Sequence, residues 1–226
     1  MTSRICSDSL RDLTLPIASF TTGRRFSSAI SQQVGNRRIE DLPIPFFCVS
    51  ANLNSMEVKA HSEGPLARAI LASTRAPGAF PPLVIDGEMH VDGGLFDNIP
   101  LGIMKEFING GHVIGVDVSS PHTGGLVPDY GLHLSGIRAL RNLFRPPSKR
   151  QNLPNLLQIL VRSTEFGGIA NRQLAVGLAD LYLRPPLDSF SRFDFNRGEE
   201  MAAVAYAWSR PRIERWLSLA SSPVGR

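Results

Sequence analysis

The sequence has 226 residues, 42% of them hydrophobic and 19% charged, with a formal net charge of +4. That balance is usual for a chain with a buried core, and it excludes intrinsic disorder, a collagen-like repeat or a coiled coil as a description of the whole. The length fits one large domain better than two, and the mild basic excess gives no ground for nucleic acid as a partner.

Taken in chain order, the first predicted element is a helix over residues 24–34, polar and short-periodic after the turn Thr21-Thr22-Gly23. Residues 46–51 follow a Pro-x-Pro break as a short apolar run, which predicts a strand buried on both faces. Residues 56–60 alternate and predict a second strand. Residues 65–74 predict a helix with Pro65 in its first turn, an allowed position. Residues 83–85 and 89–91 flank Asp86-Gly87, the dipeptide that supplies the positive φ a tight hairpin needs. A helix over 100–108 closes on Asn109-Gly110-Gly111, and 112–118 predicts another buried strand. Strand, helix and strand at this spacing argue for an α/β layer with a largely parallel sheet.

Beyond Ser119 the character turns helical. Helices are expected over 131–145, 152–179 and 199–219, with a break at Gly167-Gly168 and a short extended piece at 181–186. No run is long and apolar enough for a membrane span, and Met1–Asp8 lacks the apolar core of a signal peptide. Cys6 and Cys48 are too few for a disulfide scaffold and too isolated for a metal site. The expected location is the cytoplasm or, peripherally, a membrane surface.

The densest group of chemistry-bearing residues is Val91-Asp92-Gly93-Gly94-Leu95-Phe96-Asp97-Asn98-Ile99-Pro100. A carboxylate leaves a strand end, two glycines allow a tight turn, and a proline opens the next helix. Such strand-to-loop junctions hold catalytic groups in α/β enzymes, although an Asp that merely caps a turn has the same spacing.

Six pieces in order extend beyond that loop: Ile39-Glu-Asp-Leu-Pro-Ile-Pro-Phe46, Cys48-Val-Ser-Ala-Asn-Leu53, Gly64-Pro-Leu-Ala-Arg-Ala-Ile70, Ala72-Ser-Thr-Arg-Ala-Pro-Gly-Ala-Phe-Pro-Pro82, Val91-Asp-Gly-Gly94 and Val113-Ile-Gly-Val-Asp-Val118. Together they resemble the C-terminal half of the patatin-like lipid acyl hydrolases, in the neuropathy-target-esterase-like bacterial branch. Arg11–Pro16 and Asp180–Pro186 resemble that branch too. The resemblance implies an α/β fold: a three-layer patatin-like core with a mostly parallel sheet, incomplete here, over residues 1–120. A mainly helical C-terminal extension over 121–226 would pack on it.

The implied chemistry is a Ser–Asp dyad without histidine. A serine in a Gly-x-Ser-x-Gly elbow attacks the ester carbonyl of a lipid, and the Asp of the D-G-G motif helps take its proton. Asp92 matches that Asp. Phe80, as an acyl-pocket lining, and the backbone of Gly93 and Gly94 are the residues expected against substrate. No cofactor and no metal are implied. The sequence departs from the pattern in one respect: no Gly-x-Ser-x-Gly and no upstream Gly-rich oxyanion loop occur. In family order both precede Arg11–Pro16, so the chain is expected to hold half an active site and to be inactive alone. It is also expected to associate, or to need a chain supplying the missing half. The alternative is a non-catalytic lipid- or protein-interaction remnant of the same fold.

His90, two residues before Asp92, shares its strand face but reads as a solvent-exposed hairpin histidine. His61, His112, His122 and His133 read as surface or loop residues. Asn98, and Asp97 with it, would tether the loop or cap the helix at Pro100. Arg75 reads as an exposed loop arginine, with contact to a phosphate head group as the functional alternative. Arg138, Arg141 and Arg145 form one stripe of a basic amphipathic helix. That helix either lies on anionic lipid or packs on the domain with a solvated basic edge.

Overall fold

The computed structural model describes residues 12–119, 134–151, 153, 156, 159, 160, 172, 174–190 and 194–220. The expected break at Gly167-Gly168, most of the 152–179 helix, His122, His133 and Cys6 lie outside the described residues.

The first helix, α1, runs over Arg24–Val34 from Gly23, whose φ of 69° is the left-handed value glycine takes without strain. Strand β1 (Cys48–Asn52) turns back into β2 (Glu57–His61). Helix α2 (Leu66–Ser73) follows, with Pro65 at its N-cap. Strands β3 (Leu83–Ile85) and β4 (Glu88–Asp92) form the predicted hairpin, with φ of 52° at Asp86 and 85° at Gly87. Helix α3 (Leu101–Ile108) stops at Asn109, again left-handed. Strand β5 (Ile114–Val116), helix α4 (Gly136–Leu143), strand β6 (Leu181–Leu183) and helix α5 (Gly198–Ala220) complete the described elements.

The α/β class stands, with two described sheets. One has the order β2-β1-β4-β3 and is antiparallel throughout, because both of its hairpins return through short turns; the parallel pairing is β5 with β6. β1 is buried along nearly its whole length, as its apolar run predicts. β5 is not buried on both faces: Ile114, Val116 and Val118 are 41%, 49% and 61% exposed, whereas Val113, Gly115 and Asp117 face inward. Among the described residues, helix and side chains pack on one face of β5. Leu101, Val113 and Ala175 form a cluster there with Leu178 and Ala179. A second cluster joins Ile39, Leu66 and Ala69 under Val34, Phe46 and Cys48, and seats α2 on β1.

Candidate active site

β4 delivers Asp92 at its last position, half-buried, directly across from Ser50 of β1. The chain then tightens into a 3-10 turn over Gly93–Leu95, and the Asp92 carboxylate accepts the Gly94 N–H at 2.9 Å. Gly93 is required by close approach. A Cβ there would lie 2.4 Å from the Val49 carbonyl oxygen, so any side chain would lift the turn off β1. Gly94 is hemmed in by the side-chain oxygens of Asn98 and Asp92, 3.0 and 3.2 Å from where its Cβ would stand. Asp97 ties the next turn by accepting the Ile99 N–H at 3.2 Å, and burial raises its carboxyl pKa. Asn98 is exposed beside Gly94, and no side chain caps α3 at Pro100.

Arg75 corrects its sequence reading. It is only 5% exposed, because its carbonyl accepts the Asp92 N–H at 3.0 Å, drawing the loop onto the sheet, while its guanidinium runs beneath α1. There Nη2 donates to Ser27 Oγ at 2.8 Å, and Nη1 occupies the space a Cβ on Gly23 would need. Burial lowers its pKa, and the charge of Asp12 opposes that shift. Phe80 is buried, stacks on Phe26 of α1 with centroids 5.1 Å apart, and lies under the Arg75 guanidinium.

His90 and His61 also differ from expectation. His90 is 2% exposed, not a solvent-facing hairpin residue, and His61 is half-buried. The register places Cys48 opposite His61, Ser50 opposite Asp92, and Asn52 opposite His90, so all six side chains share one sheet face. On that face the fully buried Ser50 Oγ stands 2.7 Å from His61 Nε2 and 2.8 Å from His90 Nδ1. One hydroxyl has one proton, so it donates to one ring and accepts from the other when both imidazoles are neutral. Both histidines titrate below their ordinary range, chiefly through burial. The charges of His90 and Lys59 lower His61 further; at His90, Glu88 opposes the burial effect. Burial likewise pushes the Cys48 thiol up to about 11, leaving it unreactive.

Nothing in the local sequence marks Ser50 as special. Its period-2 relation to Cys48 and Asn52, combined with the spacing of His90 and Asp92, is the signal that groups them once β1 and β4 are paired. Asp117, within the Val113–Val118 piece, likewise carries no local signal of its own. Just beyond β5, it is 1% exposed and receives Tyr182 Oη at 2.8 Å, the Ser119 N–H at 2.9 Å and Arg172 Nε at 3.0 Å. Burial works to raise its pKa, but the Ser119 and Tyr182 hydrogen bonds and the charge of Arg172 bring it below the usual carboxylate value. Among the described residues, no cluster of three or more His, Cys, Asp or Glu could hold a metal ion. No described helix is long and apolar enough to cross a membrane.

Asp92 thus stands on a glycine turn at the end of β4, with α2 packed against that strand and turn. Residues 5–105 are similar to the family described as Patatin-like phospholipase. Its relatives include three fungal proteins, each called Lysophospholipase NTE1. The one from Debaryomyces hansenii is 34% identical over 206 residues, covering 91% of this chain and 13% of that protein. The Coccidioides immitis protein is 33% identical over 219 residues, 94% of this chain and 14% of its own length. The Candida albicans protein is 34% identical over 215 residues, 95% and 15% respectively. The chain thus spans about one-seventh of the length of these relatives.

Proposed function

We propose that this chain supplies the proton-accepting part of a serine lipid acyl hydrolase site, acting on acyl esters of phospholipids or lysophospholipids. The observation that carries the reading is Asp92: a half-buried carboxylate at a strand end, held by Gly94 N–H on a turn that glycine alone permits. In the step it would serve, a serine oxygen bonds to the ester carbonyl carbon, the carbonyl π pair moves onto its oxygen, and the carboxylate accepts the hydroxyl proton. The names of the relatives support lysophospholipid as the substrate class. Phe80, Gly93 and Gly94 would border the acyl chain and reacting carbonyl.

None of the 226 residues lies in a Gly-x-Ser-x-Gly elbow. The polypeptide alone should therefore show neither labelling by a fluorophosphonate nor turnover of a lysophospholipid. Mixing it with a Ser-bearing segment taken from a relative should restore turnover, and Asp92→Asn should reduce that turnover by roughly a hundredfold or more. Turnover by the chain alone, lost on replacing one of its own serines, would overturn the proposal. Complemented turnover indifferent to Asp92→Asn would instead favour the non-catalytic remnant.

Two further parts belong to this reading. Residues 121–226 form an extension packed on the 1–120 core, supported by the β5–β6 pairing and by Tyr182 and Arg172 at Asp117. Contact with a membrane surface runs through Arg138, Arg141 and Arg145 of the α4 region, which present three cations with no neighbouring acid in residues 131–151.

A further inference from the structure

Helix α4 carries more than a basic edge. Ser135 caps it by accepting the Arg138 N–H at 3.2 Å, and the chain beyond folds back so that Asn142 and Gln151 exchange two hydrogen bonds, at 2.7 and 2.9 Å. Asn142 is buried by this closure. The result is a cleft of about 420 Å³ lined by Ser135, Ile137, Arg138, Arg141, Asn142, Arg145 and Gln151. Arg138, Arg141 and Arg145 line it, and none of its described lining residues carries a carboxylate. Beside the arginine stripe, on the adjoining strip of the same helix, Ile137, Leu140 and Phe144 are 67%, 55% and 83% exposed. These three side chains thus face solvent, where a helix with only a solvated basic edge would pack them on the domain.

We propose that this cleft is a head-group pocket for an anionic phospholipid in a bilayer. Arg141 and Arg145 hold the phosphate, and Ile137, Leu140 and Phe144 enter the acyl boundary beside it. Charge complementarity selects a phosphate, because guanidinium forks match its oxygens in geometry as well as charge. The apolar strip favours a bilayer over free phosphate, since a membrane, unlike a free ion, also covers three large side chains next to the cationic cleft. This inference rests on the membrane contact proposed above and is independent of whether the chain takes part in hydrolysis.

The test is co-sedimentation of the full chain with vesicles of phosphatidylcholine alone and of phosphatidylcholine mixed with phosphatidic acid, at fixed salt. Binding should appear with phosphatidic acid only. Arg141→Gln with Arg145→Gln should weaken it roughly thirtyfold, taking each surface arginine at about 1 kcal/mol. Leu140→Ser with Phe144→Ser should weaken it too. Arg24→Gln with Arg25→Gln, an equal loss of charge on the exposed start of α1, should have a much smaller effect.

Circular dichroism of each variant checks the fold, and Arg145→Gln alone, just beyond the helix, replaces the double variant if that one unfolds. Equal losses from the α1 and α4 arginine pairs would reduce the pocket to net charge and overturn it. So would full displacement by inorganic phosphate with no effect of the Leu140 and Phe144 changes, or preference for duplex DNA over the vesicles. Absence of binding to every vesicle would refute the membrane contact itself, whereas binding unchanged by the Arg141 and Arg145 substitutions would refute only the pocket.

Discussion

Ser50 sits between two imidazoles in a space with little water, and this makes acid a specific threat to the fold. Its hydroxyl satisfies both rings while they are neutral; with both rings protonated, two cations 5.7 Å apart would face one oxygen. Because the folded pKa values lie below the unfolded value of about 6.5, the unfolded chain binds protons first as pH falls. The stability the neutral pair contributes is therefore present above that value and declines below it, until the folded groups also titrate. Other charges facing the pair are those of Lys59, Glu88, Asp86 and Arg68, with Asp92 on the same sheet face. Melting temperature measured from pH 8 downward should drop below about pH 6.5, and His61→Gln with His90→Gln should flatten that decline. An unchanged pH dependence in the double variant would assign the acid sensitivity elsewhere.

Between elements, a buried tie to the C-terminal part is made by Asp117, beside the Val113 N–H donated to Asp180 at 2.7 Å. β5 and β6 share only three register pairs, too few for a parallel ladder to persist by itself. What reinforces them is a buried carboxylate receiving Tyr182 from β6's own residues, Arg172 from the segment before it, and the Ser119 N–H. Asp117→Asn retains the shape but removes the charge, leaving Arg172 and Tyr182 poorly matched. That change should cost about 3 kcal/mol, read as a shift of the urea midpoint, with the Tyr182 phenol falling from its raised pKa of about 12. A variant as stable as the parent would show that the other contacts at the junction, apolar ones around Leu101 and Val113 and the Asp180–Val113 hydrogen bonds, carry it.

For the molecule as a whole, the unusual feature is the outer face of β5. Parallel strands are stable when covered on both sides, yet Ile114, Val116 and Val118 are open along this one. A contiguous apolar row beside an edge strand invites another chain. The isolated polypeptide should accordingly self-associate in sedimentation velocity, and Ile114→Thr with Val116→Thr should shift it toward monomer without loss of helical signal. A parent chain that runs as a monomer at all concentrations would remove the case for a missing partner on this face.

Local chemistry in the residues was enough to place most elements. Apolar runs, the Asp86-Gly87 turn, Pro65 and the Asn109 stop each act over a few positions, and so they located β1, the β3–β4 hairpin, α2 and α3. The Asp92-Gly93-Gly94 turn was legible for the same reason, together with its likeness to a known family. Burial was another matter. Whether Arg75, His61 and His90 meet water depends on α1 folding over the 75–80 loop and on β1 lying between β2 and β4, contacts between residues that local periodicity does not relate. Likewise, a strand of apolar residues does not say which of its faces finds a partner, and the described residues cover β5 on its Val113–Gly115–Asp117 face. Patterning along a chain sets which side chains share a face; only the assembled packing decides what stands opposite that face, and hence which polar groups are hidden, paired or left exposed.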